Sequence, residues 1–161
     1  MKLEGSCHCG KVCFSCESRA PYPYNYCYCS ICRKTAGGGG YAINLHADRD
    51  SLDVEGEEHI TVYHAFVDHP DRKQRSQAER RFCKHCGSAL WVWDPDWPEL
   101  MHPFASVIDT PLPVPPERCH ILLDSRANWV PVPEGGNEHH FRQYPGESLM
   151  AWHERHGLVT D

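Results

Sequence analysis

The sequence has no long apolar run, since no stretch of its 161 residues approaches the roughly 20 apolar residues of a membrane-spanning helix. Residues 1–6 also lack the apolar segment of a secretory signal. These absences predict a cytoplasmic protein with no membrane partner. Internal repeats and low-complexity linkers are absent too, so a chain of this length predicts one domain over residues 1–161.

Positive charge is also scarce, with 16 Lys and Arg residues against 22 Asp and Glu residues and a net charge of −6. Non-specific nucleic-acid binding depends on neutralising phosphates with Lys and Arg, so this charge argues against a nucleic-acid partner. The one concentration of basic residues is predicted to be a solvated surface, as charge runs usually are. It comprises Arg72, Lys73, Arg75, Arg80 and Arg81.

Cysteine, by contrast, is abundant, with ten residues in the chain. A reducing cytoplasm disfavours structural disulfides and favours metal sites. The spacing agrees, because the close pairs Cys7/Cys9 and Cys27/Cys29 cannot easily form a disulfide within each pair but can bind a common ion. We therefore expect metal-bound thiolates rather than disulfides.

The densest group of cysteines is Cys27-Tyr-Cys29-Ser-Ile-Cys32, with three thiols in six residues just before a glycine-rich tract. Thiolates this close together repel one another unless a cation holds them, and zinc is the usual cation for sulfur ligands. The spacing differs from that of known iron–sulfur motifs. Three ligands leave one position of a tetrahedral zinc open, which is the arrangement used for chemistry rather than for scaffolding.

A second set of cysteines is split between two distant turns, Cys7-x-Cys9 and Cys83-x2-Cys86. A glycine follows each pair, and glycine-flanked turns are not where buried core thiols lie. The simplest division of the cysteines therefore combines these four in a closed, structural zinc site. Such a site would join two distant parts of the chain, and its metal-binding free energy would become folding free energy.

The remaining cysteines are predicted to have no chemical role. Cys13 and Cys16 lie three apart on a predicted strand, so their sulfurs should point to opposite faces and serve packing. Cys119 adjoins His120, yet neighbours on a strand also point apart. For the open zinc site the sequence offers three candidate acids or bases and favours none of them. They are His46, His64 and His102.

The hydrophobic pattern predicts a mainly β fold in one domain, with little helix. Alternating or short apolar runs predict strands at residues 11–14, 41–45, 60–66 and 121–123, and residues 89–93 form a further apolar run. The charged residues 68–81 are predicted to form a surface loop or a short helix, and the Pro-rich and Trp-rich residues 94–116 an irregular segment. A C-terminal helix is predicted at residues 147–156, with Gly157 as its cap.

Taken in order, the motifs Gly5-x-Cys7-x-Cys9-Gly10, Cys27-x-Cys29-Ser-x-Cys32-Arg33 and Phe82-Cys83-x2-Cys86-Gly87 resemble the glutathione-dependent formaldehyde-activating enzyme family. The resemblance covers about residues 3–130 and leaves residues 131–161 as a C-terminal extension. It implies a zinc-tent β fold, in which small antiparallel sheets are pinned by zinc, and two zinc ions per chain. The implied structural zinc is bound by Cys7, Cys9, Cys83 and Cys86, and the implied catalytic zinc by Cys27, Cys29 and Cys32.

The implied reaction is the condensation of glutathione with formaldehyde to S-(hydroxymethyl)glutathione, a carbon–sulfur lyase-type step. The residues agree with it, because a zinc held by three thiolates favours another soft sulfur as its fourth ligand. Coordination deprotonates a thiol, and the thiolate is the reactive species. The sequence leaves one alternative of another class, a non-catalytic zinc-binding module that mediates protein contacts.

Overall fold

The computed structural model describes residues 1–69 and 72–161, and within those ranges the chain forms fourteen strands and two α-helices. The first seven strands are β1 Lys2–Ser6, β2 Cys13–Glu17, β3 Asn25–Cys27, β4 Ala42–Ile43, β5 Ala47–Asp48, β6 Asp53–Glu55 and β7 Ile60–Tyr63. The others are β8 Phe66–His69, β9 Arg72–Arg75, β10 Glu79–Cys83, β11 Ala89–Trp93, β12 Leu100–Pro103, β13 Arg118–Ile121 and β14 Glu138–His140. The helices are α1 Ser30–Thr35 and α2 Leu149–His156.

The strands form four small sheets, which confirms the prediction of a mainly β fold. Their orders are β1-β2-β6, β5-β12-β11-β10-β7, β14-β13-β3-β4 and β8-β9. All pairs are antiparallel except in the third sheet, where β13 runs parallel to both β3 and β14. Parallel pairing needs a long connection, and the chain between β3 and β13 provides one.

Two segments differ from the sequence-based expectation. The loop or short helix predicted for residues 68–81 is wrong, because the paired strands β8 and β9 and the start of β10 occupy the described part of that segment. Two of its residues, Pro70 and Asp71, lie outside the described residues. The segment 94–116, predicted to be irregular, contains β12 between β5 and β11. Pro103 lacks a donor, but it ends β12 and its carbonyl accepts from Leu45 N at 2.9 Å.

Apolar side chains gather in two core clusters, and each contains part of one cysteine set. The first cluster lies between the three-stranded and five-stranded sheets, where Phe14 packs edge-to-face on Trp91 at 5.1 Å. It includes Cys7 and Cys83. The second cluster comprises Tyr24, Cys27, Cys32, Ala42, Ala89, Phe104, Cys119, Ile121, Leu122 and Trp152. The two cysteine sets are therefore anchored in different parts of the core.

The C-terminal helix α2 confirms the predicted helix within two residues at its start. The Ser148 hydroxyl accepts from Ala151 N at 3.1 Å, and Gly157 caps the C-terminus with φ +65°. Trp152 is buried and stacks on Tyr24 with ring centroids 3.7 Å apart. These contacts support our proposal that residues 1–161 fold as one domain. Of the helices in the described ranges, neither has the length and apolar character required to span a bilayer.

Candidate metal centres

The first candidate centre brings together the four cysteines of the two distant turns. Cys7 and Cys9 lie in the turn after β1, whereas Cys83 ends β10 and Cys86 lies in the turn that follows it. All four sulfurs lie within 4.8 Å of one another. The Cys9 sulfur is 3.5 Å from that of Cys7 and 3.7 Å from that of Cys83. Sulfurs bound to one tetrahedral zinc at about 2.3 Å would be about 3.8 Å apart, so the four thiols fit such an ion.

Glycine shapes both turns of this four-cysteine group. Gly10 N donates to Cys7 O at 3.0 Å, and Gly87 N donates to Cys83 O at 2.8 Å. Both glycines have positive φ, +72° and +77°, a conformation that other residues adopt only with strain. The chain thereby turns back around the sulfurs, as the glycine after each cysteine pair suggested.

Hydrogen bonds favour the ionised form of two of the four sulfurs, those of Cys7 and Cys86. Val12 N donates to Cys7 Sγ at 3.3 Å. Burial raises the pKa of Cys7, but this hydrogen bond and the neighbouring thiols Cys9 and Cys83 outweigh the effect of burial, so the pKa is lowered overall. The pKa of Cys86 is lowered to about 5, first because the Ser88 hydroxyl bonds its sulfur and then because backbone N–H groups do. Thiolates are the form that binds metal.

The second candidate centre is the group Cys27, Cys29 and Cys32, whose sulfurs also lie within 4.8 Å of one another. Cys27 ends β3, Cys29 caps the N-terminus of α1, and Cys32 lies within α1. Sequence reasoning missed α1, whose first turn gives the Cys-x2-Cys spacing its geometry. Cys27 and Cys32 are 5% and 3% exposed, whereas Cys29 is only partly buried. The group is thus accessible on the side of Cys29.

Within the described residues, no fourth His, Cys, Asp or Glu joins these three sulfurs. In particular, the candidate acids or bases His46, His64 and His102 are not part of the group. His102 instead places its Nδ1 3.0 Å from Leu45 O. The structure thus brings the three predicted sulfurs together. The open fourth position stays a prediction, and the acid or base stays unassigned.

Hydrogen bonds within the three-cysteine group favour ionisation of Cys29 over ionisation of Cys27. The pKa of Cys29 is lowered to about 2, first by hydrogen bonds from the Cys27 and Cys32 thiols and then by backbone N–H groups, including Cys32 N at 3.2 Å. The same bonds, together with burial, raise the pKa of Cys27. The most exposed sulfur of the group is therefore also its most readily ionised one.

Arg80 is the nearest cation to this group among the contacts of the described residues, and the sequence placed it wrongly. Its Nη2 donates to Cys32 Sγ at 3.7 Å, and the residue is only 9% exposed. The prediction that the basic run is a solvated surface is thus wrong for Arg80. The prediction is correct for Arg75, which is exposed. Arg81 is half-buried and bonds Glu79. The side chains of Arg72 and Lys73 lie outside the described residues.

A buried hydrogen-bonded chain supports the backbone between Cys27 and Cys29. The Tyr28 hydroxyl lies 2.8 Å from His120 Nδ1, and His120 Nε2 lies 2.8 Å from Glu138 Oε2. Arg118 in turn bonds Glu138 at 2.7 Å. The carboxylate requires Nε2 of His120 to donate, so Nδ1 accepts from Tyr28. This network holds Tyr28 in place, and with it the segment that carries two of the three thiols.

Of the remaining cysteines, Cys16 packs in the core as predicted and Cys119 also packs there, whereas Cys13 belongs to neither core cluster. Cys16 on β2 is buried while Cys13 is partly exposed, in agreement with sulfurs on opposite faces. Burial raises the pKa of Cys16 to about 12. Cys119 packs in the second core cluster, and its neighbour His120 bonds Tyr28 instead.

Comparison with known proteins matches most of this chain to a known family. Residues 2–125 match the family described as glutathione-dependent formaldehyde-activating enzyme. A protein of Halomonas elongata, provisionally named a glutathione-dependent formaldehyde-activating enzyme, is 56% identical over 158 residues that cover 98% of each chain. The crystal structure of a Rhodobacter sphaeroides protein is similar with a TM-score of 0.52 and 29% identity, over 70% of this chain and 92% of that one.

Proposed function

The chain belongs to the glutathione-dependent formaldehyde-activating enzyme family, and on that premise we propose that it catalyses the condensation of glutathione with formaldehyde. The product would be S-(hydroxymethyl)glutathione, and the step is of the carbon–sulfur lyase type. The observation that carries the proposal is the group of three convergent thiols, Cys27, Cys29 and Cys32, that is accessible beside Cys29.

We propose zinc for both cysteine groups, because thiolate is a preferred zinc ligand and the sulfurs converge at suitable separations. Cys7, Cys9, Cys83 and Cys86 would close a structural site. Cys27, Cys29 and Cys32 would hold a second ion. That ion would supply one chemical effect, which is to stabilise a bound exogenous thiol as its thiolate.

In the proposed reaction the glutathione sulfur bonds to the carbonyl carbon of formaldehyde, and the thiol proton finishes on the former carbonyl oxygen. The chain contributes a rigid, partly water-free site. Cys27 and Cys32 are held in the second core cluster, while the Tyr28–His120 bond fixes the intervening backbone. Fixed geometry of this kind lowers the entropic cost of bringing two reactants together.

Native mass spectrometry with and without glutathione tests the proposal. We expect two zinc ions per chain and a retained glutathione that is lost in Cys29→Ala. Cys13→Ala is the matched control, because Cys13 belongs to neither group, and it should keep both zinc ions and the thiol. The purified protein should then accelerate formation of the formaldehyde adduct, followed by NMR with labelled formaldehyde. Two zinc ions with neither thiol adduct nor acceleration would favour the non-catalytic module instead.

We place the proposed reaction in the cytoplasm, where glutathione is abundant and reduced. All ten cysteines are free of disulfides, and a reducing compartment keeps such thiols available for metal.

A further inference from the structure

Arg80 has a buried guanidinium group with one amino group left without a partner. It lies on β10 and is 9% exposed, and its Nη2 donates to Cys32 Sγ at 3.7 Å. Its Nη1 is buried and makes no hydrogen bond. In the described part of the chain only two other buried side-chain atoms share that property, Asn25 Oδ1 and His46 Nδ1. Of the three residues, Arg80 alone has a permanent charge.

The counter-charge of Arg80 lies in the three-cysteine group. Within the described ranges no Asp or Glu forms an ion pair with it, and Cys32 is the side chain to which it donates. An unsatisfied donor on a buried cation is costly, so it calls for an explanation such as a missing ligand.

Charge counting indicates which ligand that donor fits. Three thiolates and a divalent ion sum to −1, and a fourth thiolate would bring the centre to −2 in a largely buried setting. One guanidinium charge offsets part of that excess. Nη1 is bonded to the same carbon as Nη2, so the unpartnered donor lies close to the amino group that donates to Cys32.

We propose that Arg80 is a thiolate-binding residue of the three-cysteine centre, with Nη2 committed to Cys32 and Nη1 reserved for the sulfur of the incoming thiol. This inference rests on the proposed function, since it assigns a group that would recognise the thiol substrate. The ligand feature that Arg80 recognises is anionic sulfur rather than a carboxylate. Burial supports this choice, because Arg80 is enclosed against the cysteines and does not extend into solvent, where the carboxylates of a peptide would lie.

The test compares Arg80→Gln with Arg81→Gln. Arg81 is a matched control, because it is the next residue on β10 and bonds Glu79 rather than the thiols. Cobalt(II) replaces the native metal, and thiol binding is followed through the sulfur-to-cobalt charge-transfer absorption. Two thiols are titrated: glutathione, and 2-mercaptoethanol, which has no carboxylate. Metal content is measured for every variant.

We expect Arg80→Gln to retain two metal ions and to bind both thiols about 10- to 100-fold more weakly, the loss typical of one hydrogen bond to a charged group. Arg81→Gln should bind both thiols as the unmodified protein does. Arg80→Lys, which keeps the charge but cannot donate from two amino groups in a fixed fork, should bind both about 3- to 10-fold more weakly. If Arg80→Gln does not fold, the thiol affinities of Arg80→Lys test the inference in its place.

Equal thiol affinities for the Arg80 and Arg81 variants would overturn the inference. A loss confined to glutathione would also overturn it, because that result would assign Arg80 to a carboxylate. Absence of thiol binding by the unmodified protein would refute the proposed function, and the inference with it. The outcomes therefore separate failure of the inference alone from failure of the function.

Discussion

Replacing Cys83 with Ser tests whether the four-cysteine group stabilises the fold through a metal ion. Cys83 is 1% exposed at the end of β10, and its sulfur lies 3.7 Å from that of Cys9. The substitution removes one of four thiols and leaves the side chain nearly the same size. We expect the variant to lose one of its two metal ions.

The expected magnitude follows from the chain segment that the metal would close. Cys9 and Cys83 are 74 residues apart in sequence. By the chain-entropy relation for a cross-link, closing a loop of that length contributes about 4.5 kcal/mol at 25 °C. A typical domain is stable by about 5–15 kcal/mol, so loss of this link would remove a large share of the total. The buried hydroxyl adds a smaller cost of about 1–3 kcal/mol.

Urea unfolding followed by tryptophan fluorescence measures the two contributions separately. With metal present, Cys83→Ser should lower the free energy of unfolding by at least about 4 kcal/mol. With a strong chelator present, the difference from the unmodified protein should shrink to about 1–3 kcal/mol, because only the buried hydroxyl then distinguishes the two. Cys13→Ser, outside both groups, should keep two metal ions and change stability by about 0.5 kcal/mol or less.

Two results would refute this reasoning. One is a Cys83→Ser variant that keeps both metal ions. The other is a stability difference that the chelator leaves unchanged, which would mean that Cys83 stabilises the fold by packing in the first core cluster and not through a metal ion.

Two further predictions concern other parts of the fold. Gly40→Ala should lower the free energy of unfolding by about 2 kcal/mol or more, because φ is +86° there and a Cβ would overlap Val130 Cγ2. Parallel urea titrations measure the effect. Gly38→Ala is the control, because a Cβ there meets no atom within 4 Å. Burial disfavours ionisation of Glu117, but donors from α2 and His139 outweigh it and lower its pKa from 4.5 to about 2. Because the folded-state pKa is depressed, this stabilisation is complete above about pH 4.5 and is lost as the pH falls toward 2. The urea unfolding midpoint of Glu117→Gln should therefore fall less across that interval than the midpoint of the unmodified protein. A midpoint that falls equally in both proteins would contradict this prediction.

Spacing along the sequence predicted the two cysteine groups because short local segments of the chain supply their members. Cys7 and Cys9 share one turn, and Cys83 and Cys86 share another, so ligand type and spacing define each half without knowledge of the fold. Spacing alone does not show that these two turns lie together, but a group of four thiols requires both turns. The structure brings these four sulfurs together. Their roles as metal ligands stay a prediction.

The burial of Arg80 could not be read from the sequence, because the alternation of β10 is interrupted. The register with β11 shifts between Arg81 and Phe82, so two residues three apart, Arg80 and Cys83, are both buried. Strict alternation counted back from Cys83 would place Arg81 inside and Arg80 outside. The bulge depends on pairing with β11, a tertiary feature that the pattern of one strand does not contain.

The sequence did not identify the acid or base of the proposed reaction, and the reason is different. Twelve histidines are spread along the chain, and neither spacing nor flanking residues distinguish those near the thiols. The structure uses several of them elsewhere. His153, for example, bonds Leu149 O and Tyr22 N in the packing of α2, and His120 bonds Tyr28 and Glu138.

The two cysteine groups differ in how their negative charge would be neutralised, and exposure explains the difference. With a divalent ion, four thiolates sum to −2, but Cys9 and Cys86 are exposed, so water can solvate that excess. In the three-cysteine group two of the sulfurs are buried, and a bound thiol would raise the excess from −1 to −2 where water has little access. A buried charge needs a partner in the protein, and Arg80 is in contact with that group alone of the two. The buried cation thus lies at the centre whose charge would change during turnover, as expected if the three-cysteine group is where the thiol reacts.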